Sequence, residues 1–351
     1  MNDSKLSPPT ETTFEQSASE LSFGDLKLSL GVVGVESLGV IRVTGDDALS
    51  FLHNQLTQDF LNLAENEARF CSFCNAKGRI QASLIGIKSA PSEVLLICSK
   101  DLISQTVKRL SMFVLRAKVK ITDASPDFQL TGVIGKDAAI SCGLPNSMLL
   151  TKPWSHLSES LNGETAHWIS LYPALGEPRY LLISPPLAHP LSSTSNKIEE
   201  SEWGLSQVMS GVCMIGLPTF ESFIPQMINY ESIGGVHFQK GCYPGQEVVA
   251  RSQFRGTIKR RGFVIRSTSA IKDGDELFIT SDTQQPCGQI VCAALHQGQY
   301  FGFASLLISA AEEIIKGSSA GASPTHIHTL SNLADSSIYI LPLPYPLRDD
   351  I

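Results

Sequence analysis

One stretch gathers most of the chemistry-bearing residue types. Gly234 to Arg260 reads Gly-Gly-Val-His-Phe-Gln-Lys-Gly-Cys-Tyr-Pro-Gly-Gln-Glu-Val-Val-Ala-Arg-Ser-Gln-Phe-Arg-Gly-Thr-Ile-Lys-Arg. Its centre is Lys240-Gly241-Cys242-Tyr243-Pro244-Gly245-Gln246-Glu247. Glycines and a proline at this density exclude a regular strand or a deep helix. Beyond Pro244, polar residues followed by a Val pair predict a short helix starting near Gly245 and running to Arg255. Cys242 then stands just before a helix N-terminus, two residues from Lys240. Backbone N–H groups and an ammonium both favour a thiolate, the nucleophilic form of cysteine. The competing reading is a loop cysteine that only packs.

Other candidates are more dispersed. Asn75-Ala76-Lys77-Gly78-Arg79 reads as a hairpin turn whose cations, Lys77 and Arg79, stand beside backbone that a ligand can approach closely. Cys71-x-x-Cys74 precedes it. A zinc site needs four ligands, and if this run is a strand the two thiols point to opposite faces, so no metal is expected. Trp203 is either a core aromatic or a flat surface for a heteroaromatic ligand. Gln226 and Asn229, in a segment broken by Pro218 and Pro225, offer amides suited to reading the edge of a pterin-like ring. Between Val248 and Lys272 there is no acid, yet Arg251, Arg255, Lys259, Arg260, Arg261, Arg266 and Lys272 all occur. They are either solvated strand faces or a local anion site.

The elements that must position these residues follow from patterning. The chain has 351 residues, 42% hydrophobic and 17% charged, which suits two or three soluble globular domains. A net charge of −7 argues against wholesale nucleic-acid coating. No apolar run approaches the roughly 20 residues needed to span a bilayer. Residues 1–24 are read as a disordered polar leader without signal-peptide features, and the protein as cytoplasmic. That compartment keeps the eight cysteines reduced, so a disulfide scaffold is not expected.

Val40–Val43 predicts a strand, and Ala48 to Leu56 a helix with Asp46 as its N-cap. His53 and Gln55 lie on that helix, read as ordinary surface. Strands over Val94–Cys98, Ala117–Ile121, Phe128–Val133 and Tyr180–Ile183, with helices over Asp101–Val114 and Ile198–Ser210, make the first part α+β. Ser155–Thr165 and Pro185–Asn196 read as polar connections. After Arg260 short apolar strands separated by turns such as Lys272-Asp273-Gly274-Asp275 and Gln297-Gly298 predict a small antiparallel β-barrel. The domains expected are a 25–255 α+β region, in two subdomains, and a 256–351 barrel.

Read together, these motifs resemble the YgfZ family, folate-binding proteins described as tRNA-modifying and iron–sulfur maintenance factors. That family is related in fold to the aminomethyltransferase (T-protein) of the glycine cleavage system. Lys240-Gly241-Cys242-Tyr243-x-Gly245-Gln246-Glu247 resembles the family signature. Gln55-Leu56-Thr57-x-Asp59, Asn75-Ala76-Lys77-Gly78-Arg79, Phe223-Ile224-Pro225-Gln226, Gly234-Gly235-Val236-x-Phe238, Val249-Ala250-Arg251 and Arg255-Gly256 resemble further family positions in order. The resemblance runs from about Val35 to Arg261 and is weaker beyond.

It implies an aminomethyltransferase-like fold with a folate cavity closed by the barrel, and tetrahydrofolate or a derivative as cofactor. It implies Cys242 as the functional thiol, with Lys240 beside it. Trp203 stands where the family places a folate-contacting Trp, and Leu38 stands at its other aromatic position. Asn75, Tyr243 and Arg251 are family motif positions expected to bind the cofactor with Lys77, Arg79, Gln226 and Asn229. Gln207-Val208-Met209-Ser210-Gly211 lacks the Glu that relatives often carry before the Gly, which argues against plain glycine-cleavage chemistry.

Three functions fit these residues. One is a folate-dependent accessory protein supporting iron–sulfur client enzymes, including those that thiolate tRNA. Another is a folate-dependent one-carbon (aminomethyl-type) transferase, which needs a general base; Asp59, Glu231 and Glu247 are the acids to consider. The third is a tRNA-binding module on the Arg251–Arg261 patch, disfavoured by net acidity and leaving at most a weak or indirect tRNA contact.

Overall fold

The computed structural model describes residues 26–149, 151–186, 196–279, 284–319, 327–329 and 337–348; the expected leader lies outside them. Three antiparallel sheets carry the fold. The first comprises β2 (Leu38–Thr44), β3 (Ala68–Cys74), β4 (Ile80–Ala90), β5 (Glu93–Ser99) and β6 (Lys120–Asp123), in the order β3-β4-β5-β2-β6. Its β5 is apolar from Val94 to Cys98 because both faces are covered there. Val94, Leu96 and Cys98 pack with Phe51, Leu52 and Leu56 of the segment around α1 (Ala48–Gln55) and with Leu110 of α2 (Ile103–Ser111). Leu95 and Ile97, one pleat away, face the central core. The same alternation puts Cys71 and Cys74 in different clusters. At the start of α1 the N-cap is Asp47, not Asp46, and its carboxylate accepts from the Lys118 N–H, 2.8 Å away.

The second sheet has the order β1-β7-β10-β9-β8, with β1 (Gly31–Gly34), β7 (Gln129–Ile134), β8 (His156–Leu161), β9 (Glu164–Ala174) and β10 (Glu177–Ser184). Here the reading of residues 155–165 as a connection is corrected. Leu161 pairs with Glu164 across Asn162-Gly163, both at positive φ (52° and 86°). This Asn-Gly pair makes a tight hairpin turn. The polar alternation of β8 belongs to a half-solvated edge strand. The short α3 (Lys136–Ser141) covers the outer face, and α4 (Glu200–Met209) runs from the second sheet toward the third.

The third sheet holds β11 (Arg260–Ser267), β12 (Glu276–Ile279), β13 (Gly288–His296), β14 (Gln299–Leu307), β15 (Ile327–Thr329) and β16 (Ile338–Leu341). Its order is β15-β12-β13-β14-β11-β16, and β15 and β16 do not pair. The expected small barrel is thus a curled antiparallel half-barrel, and α6 (Ile308–Ser319), not foreseen from sequence, follows β14. The three sheets share one core: Val40 and Ile97 meet Leu181 and Ile183, Val264 and Phe303, with Trp203 and Tyr230 between them. The junction is tied by a buried ion pair, Arg261 Nη1 to Glu231 Oε1. Asn229, in the left-handed conformation (φ 60°), acts as a surrogate strand for β11. Its Nδ2 donates to Gly262 O at 2.8 Å and its Oδ1 accepts from Gly262 N at 3.0 Å.

No helix among the described residues is long and apolar enough to cross a membrane.

Candidate functional site

Two places combine polar chemistry with accessibility. The first is a cavity of about 570 Å³ where the sheets converge. Leu38 and Met214 give it apolar wall, Ser37, Ser99 and Gln207 give hydroxyls and an amide, and Asp101 and Asp273 give carboxylates. Its narrow inner end, a void of about 20 Å³, shares Leu38, Gln207 and Met214 and adds Trp154, Tyr172, Arg179 and Trp203. The volume lies within the range of small-molecule sites.

The electrostatics of the inner end are unusual. Arg179 is buried, donates to Ser206 Oγ at 2.8 Å and to Tyr172 O at 3.2 Å, and lies 4.6 Å over the Trp203 ring. No carboxylate pairs with it among the described residues, and burial pulls its guanidinium down to about 9. Trp203 is 1% exposed and packs tightly against Gly132, and its Nε1 donor has no partner among the described residues. At the mouth, burial raises the Asp273 carboxyl against the hydrogen bond it accepts from Ala293 N, and Asp101 raises it further.

The same wall holds a finding that corrects the expectation of eight thiols. Cys213, in the segment after α4, and Cys292 of β13 form a disulfide, with Cα atoms 6.4 Å apart. Their 79-residue separation hid the pairing from the sequence; the fold joins them where the helix segment lies on the half-barrel. The remaining six cysteines are buried except Cys242. Among the described residues no group of three or more His, Cys, Asp or Glu side chains is arranged to hold a metal.

The second place is the thiol loop. α5 (Gln246–Phe254) opens at Gly245, whose φ of 82° lets it press on the β3–β4 turn; a Cβ there would stand 2.4 Å from Asn75 O. This leaves Cys242 exposed and four residues before the helix, outside its first turn. Lys240 is bonded to α1, while its charge still interacts with that of Cys242. Its Nζ turns into the last turn of α1 and donates to His53 O and to Leu56 O, the latter at 2.7 Å. A cation there satisfies orphan carbonyls and the negative end of the helix. The ammonium also stands 4.6 Å from the Tyr243 ring centroid. Burial lowers it to about 8. Lys240 is the clamp that fixes the cysteine loop to α1.

The clamp brings a further pair to the loop. His53 Nδ1 is 2.9 Å from Asp59 Oδ1, and Nε2 lies 3.4 Å from where a Cβ on Gly241 would stand. Burial pushes the Asp59 carboxyl up, but hydrogen bonds from Asn62 and from His53 outweigh it and hold it below the usual range. His53, read from sequence as helix surface, is 8% exposed.

Of the residues assigned to the cofactor from sequence, Leu38 lines the cavity and Trp203 the small void of about 20 Å³ beside it. The others do not. Asn75 Oδ1 accepts from the Lys77 and Arg79 N–H groups and so shapes the turn. Arg79 donates to Ser222 O, tying that turn to the loop before Pro225. The Lys77 side chain is exposed. Gln226 is buried and donates to Val249 O at 2.8 Å and Gln253 Oε1 at 3.3 Å, and Asn229 is committed to β11. Tyr243 is buried under Lys240, and Arg251 is exposed on α5 beside Glu247, 3.7 Å away. Asn75, Arg79, Gln226, Asn229 and Tyr243 are engaged in holding the thiol loop and half-barrel, whereas Lys77 and Arg251 stand exposed away from the cavity. The basic run is divided likewise: Arg261 pairs with Glu231, and Arg260 donates to Pro286 O and Cys287 O. Sequence reasoning missed Arg179, Met214, Asp101 and Asp273; only Arg179, a lone cation beside the apolar run 180–183, carried a signal.

Comparison with known proteins agrees with this architecture. The GCVT N-terminal domain family matches residues 10–140. The tRNA-modifying protein YgfZ of Edwardsiella ictaluri is 32% identical over 242 residues, covering 65% of this chain and 69% of that protein. The protein of the same name from Yersinia enterocolitica is 25% identical over 339 residues, covering 92% and 95%. Among solved structures, the glycine cleavage system aminomethyltransferase T of Bartonella henselae superposes with a TM-score of 0.64 at 15% identity, over 91% of this chain and 86% of that one, a likeness of fold.

Proposed function

The chain belongs to the YgfZ family of tRNA-modifying proteins, and from that premise we propose a tetrahydrofolate-binding accessory protein that supports iron–sulfur enzymes, including those that thiolate tRNA, with Cys242 as its working thiol. The observation that carries the folate reading is the unpartnered Trp203 Nε1 at the inner end of the cavity. A buried donor without an acceptor costs about 1–3 kcal/mol, which a ligand acceptor recovers. The pteridine ring of a folate presents ring nitrogens and a carbonyl as acceptors. Arg179, a buried cation without a carboxylate, fits the same electron-rich edge. Trp203, Arg179, Gln207, Leu38 and Met214 would hold the ring. A bound tetrahydrofolate supplies a carrier for one-carbon units.

The test is a titration with tetrahydrofolate followed by Trp fluorescence, in the wild type and in Trp203→Phe, which keeps a ring and removes the N–H. Saturable quenching in the wild type, weakened about tenfold in the variant, is expected for one hydrogen bond of about 1.4 kcal/mol. No quenching at millimolar folate overturns the cofactor reading. The thiol is tested separately: Cys242→Ala should keep the quenching and lose tRNA thiolation in a cell lacking its own copy.

A second reading is favoured by Asp273. A carboxyl raised by burial at the cavity mouth is the general base that a one-carbon transferase needs. Turnover of a substituted folate that falls in Asp273→Asn would support it over the accessory role.

A further inference from the structure

Among the described residues Cys242 is the one exposed cysteine, and the neighbouring loop is held so that it faces an imidazole. His53 is more than nine-tenths buried. Asp59 fixes one ring nitrogen at 2.9 Å; the other, Nε2, has no hydrogen-bond partner among the described residues and lies 3.4 Å from where a Cβ on Gly241, the residue before Cys242, would stand. Asp59 is itself oriented by Asn62, whose Nδ2 donates to Asp59 Oδ2 at 2.6 Å. Lys240 locks the geometry by bonding the loop to the His53 and Leu56 carbonyls. A nucleophile-bearing loop, a base aimed at it and a carboxylate behind the base form the arrangement that activates thiols and hydroxyls on unrelated folds.

We propose that His53 is the general base of Cys242 and Asp59 the positioning residue of His53, making a nucleophile site for soft electrophiles such as the sulfur of a small disulfide. The step requires the exposed Cys242 side chain to turn so that Sγ meets Nε2, which stands 3.4 Å from a Cβ position on the preceding Gly241; the proton then passes from sulfur to that nitrogen. Asp59 stabilises the imidazolium through Nδ1–H. The thiolate then attacks R–S–S–R. A Cys242–S–R bond forms, the S–S bond breaks, and R–S⁻ leaves and takes the proton from His53. Sulfur is exchanged with no net oxidant or reductant, and His53 ends neutral. This site rests on the reading of Cys242 as a working thiol, but its chemistry is measurable without any client enzyme.

The experiment follows modification of the folded full-length protein at pH 7 by dithiobis-nitrobenzoate, a coloured small disulfide, with Cys242→Ser as the blank. Wild type is expected to react at one thiol, because the other cysteines are buried or disulfide-bonded. His53→Ala should react about a hundredfold more slowly, the low end of general-base effects. Asp59→Asn should lie between the two. Added imidazole should restore the His53→Ala rate while leaving wild type unchanged, a rescue that a structural role for His53 does not give. Circular dichroism checks that each variant is folded; if His53→Ala is not, His53→Gln replaces it and the comparison with Asp59→Asn stands. An unchanged rate in a folded His53 variant, or a slow rate that imidazole does not rescue, overturns the proposal. That failure leaves the working-thiol reading intact, since the latter falls only if Cys242→Ala keeps tRNA thiolation.

Discussion

The cavity takes its walls from Leu38 and Ser99 of the first sheet, Trp203 and Met214 in and after α4, and Asp273 and Cys292 of the half-barrel. The thiol loop is one run of consecutive residues held by two carbonyls of α1 and the turn at Asn75. Among the described residues none of the cavity's lining residues comes from the loop, and Lys240 bonds only to α1; one tie between the two is Trp154 Nε1, which donates to Ile233 O just before the loop at 2.9 Å. A ligand in the cavity therefore meets groups drawn from all three parts of the fold, whereas the thiol sits on one contiguous run held by a few long-range clamps to α1 and the Asn75 turn. What joins the two is the core beneath them, in particular Glu231, just before the loop, and Arg261, at the start of the half-barrel.

That joint is where the comparison is most readily broken. Glu231→Gln leaves the buried Arg261 without a counter-charge, which should cost about 3–5 kcal/mol in urea unfolding. Tetrahydrofolate quenching and the Cys242 modification rate should degrade together. A loss below about 1 kcal/mol, or damage to one site alone, would show that the two regions do not share this support.

Gly245→Ala strikes the loop. A side chain at φ 82° with its Cβ 2.4 Å from Asn75 O and 2.7 Å from the Gly78 Cα must displace backbone. About 2–3 kcal/mol is expected from left-handed strain plus the clash. The Cys242 rate should change while the quenching titration keeps its midpoint. Gly132→Ala is the mirror experiment. Its methyl would stand 2.5 Å from Trp203 Cε3 and push the indole toward the cavity, at about 1–3 kcal/mol. Folate quenching should be lost and the Cys242 rate kept. Crossed outcomes in either variant would contradict the separation of the two sites.

The same contrast explains what was legible in the sequence. Lys240-Gly241-Cys242 is contiguous, so the loop and its helix were visible, and so were strands such as β5 and β7, because a strand buried on both faces writes itself as a short, largely apolar run. Two misreadings had a common cause. Lys240 and Asn229 carry polar atoms that look available for ligand, but their partners, the α1 carbonyls and Gly262, lie far along the chain. A sequence shows what a side chain can bond, not what has already bonded it. The cavity was the harder case: Arg179, Asp273 and the Cys213–Cys292 disulfide meet only through sheet packing. The hairpin at Asn162-Gly163 was missed for another reason, since the polarity of an exposed edge strand resembles that of a loop.

The smallest effect is expected at Arg251, which resembles a family position yet stands exposed on α5 with only Glu247 nearby. An exposed i,i+4 pair contributes about 0.5 kcal/mol or less. Arg251→Ala should leave unfolding, folate quenching and the Cys242 rate essentially unchanged. Arg260 and Arg261 are engaged inside the protein, so any basic docking patch in this region has to be made by Arg251, Arg255 and Lys259. If transfer RNA docks there, Arg251→Ala weakens its binding and lowers the salt dependence by roughly one phosphate contact, with stability untouched. If RNA binding and its salt slope are both unaffected, the residue's role lies outside both regions, and the thiol loop works without an RNA contact on this helix.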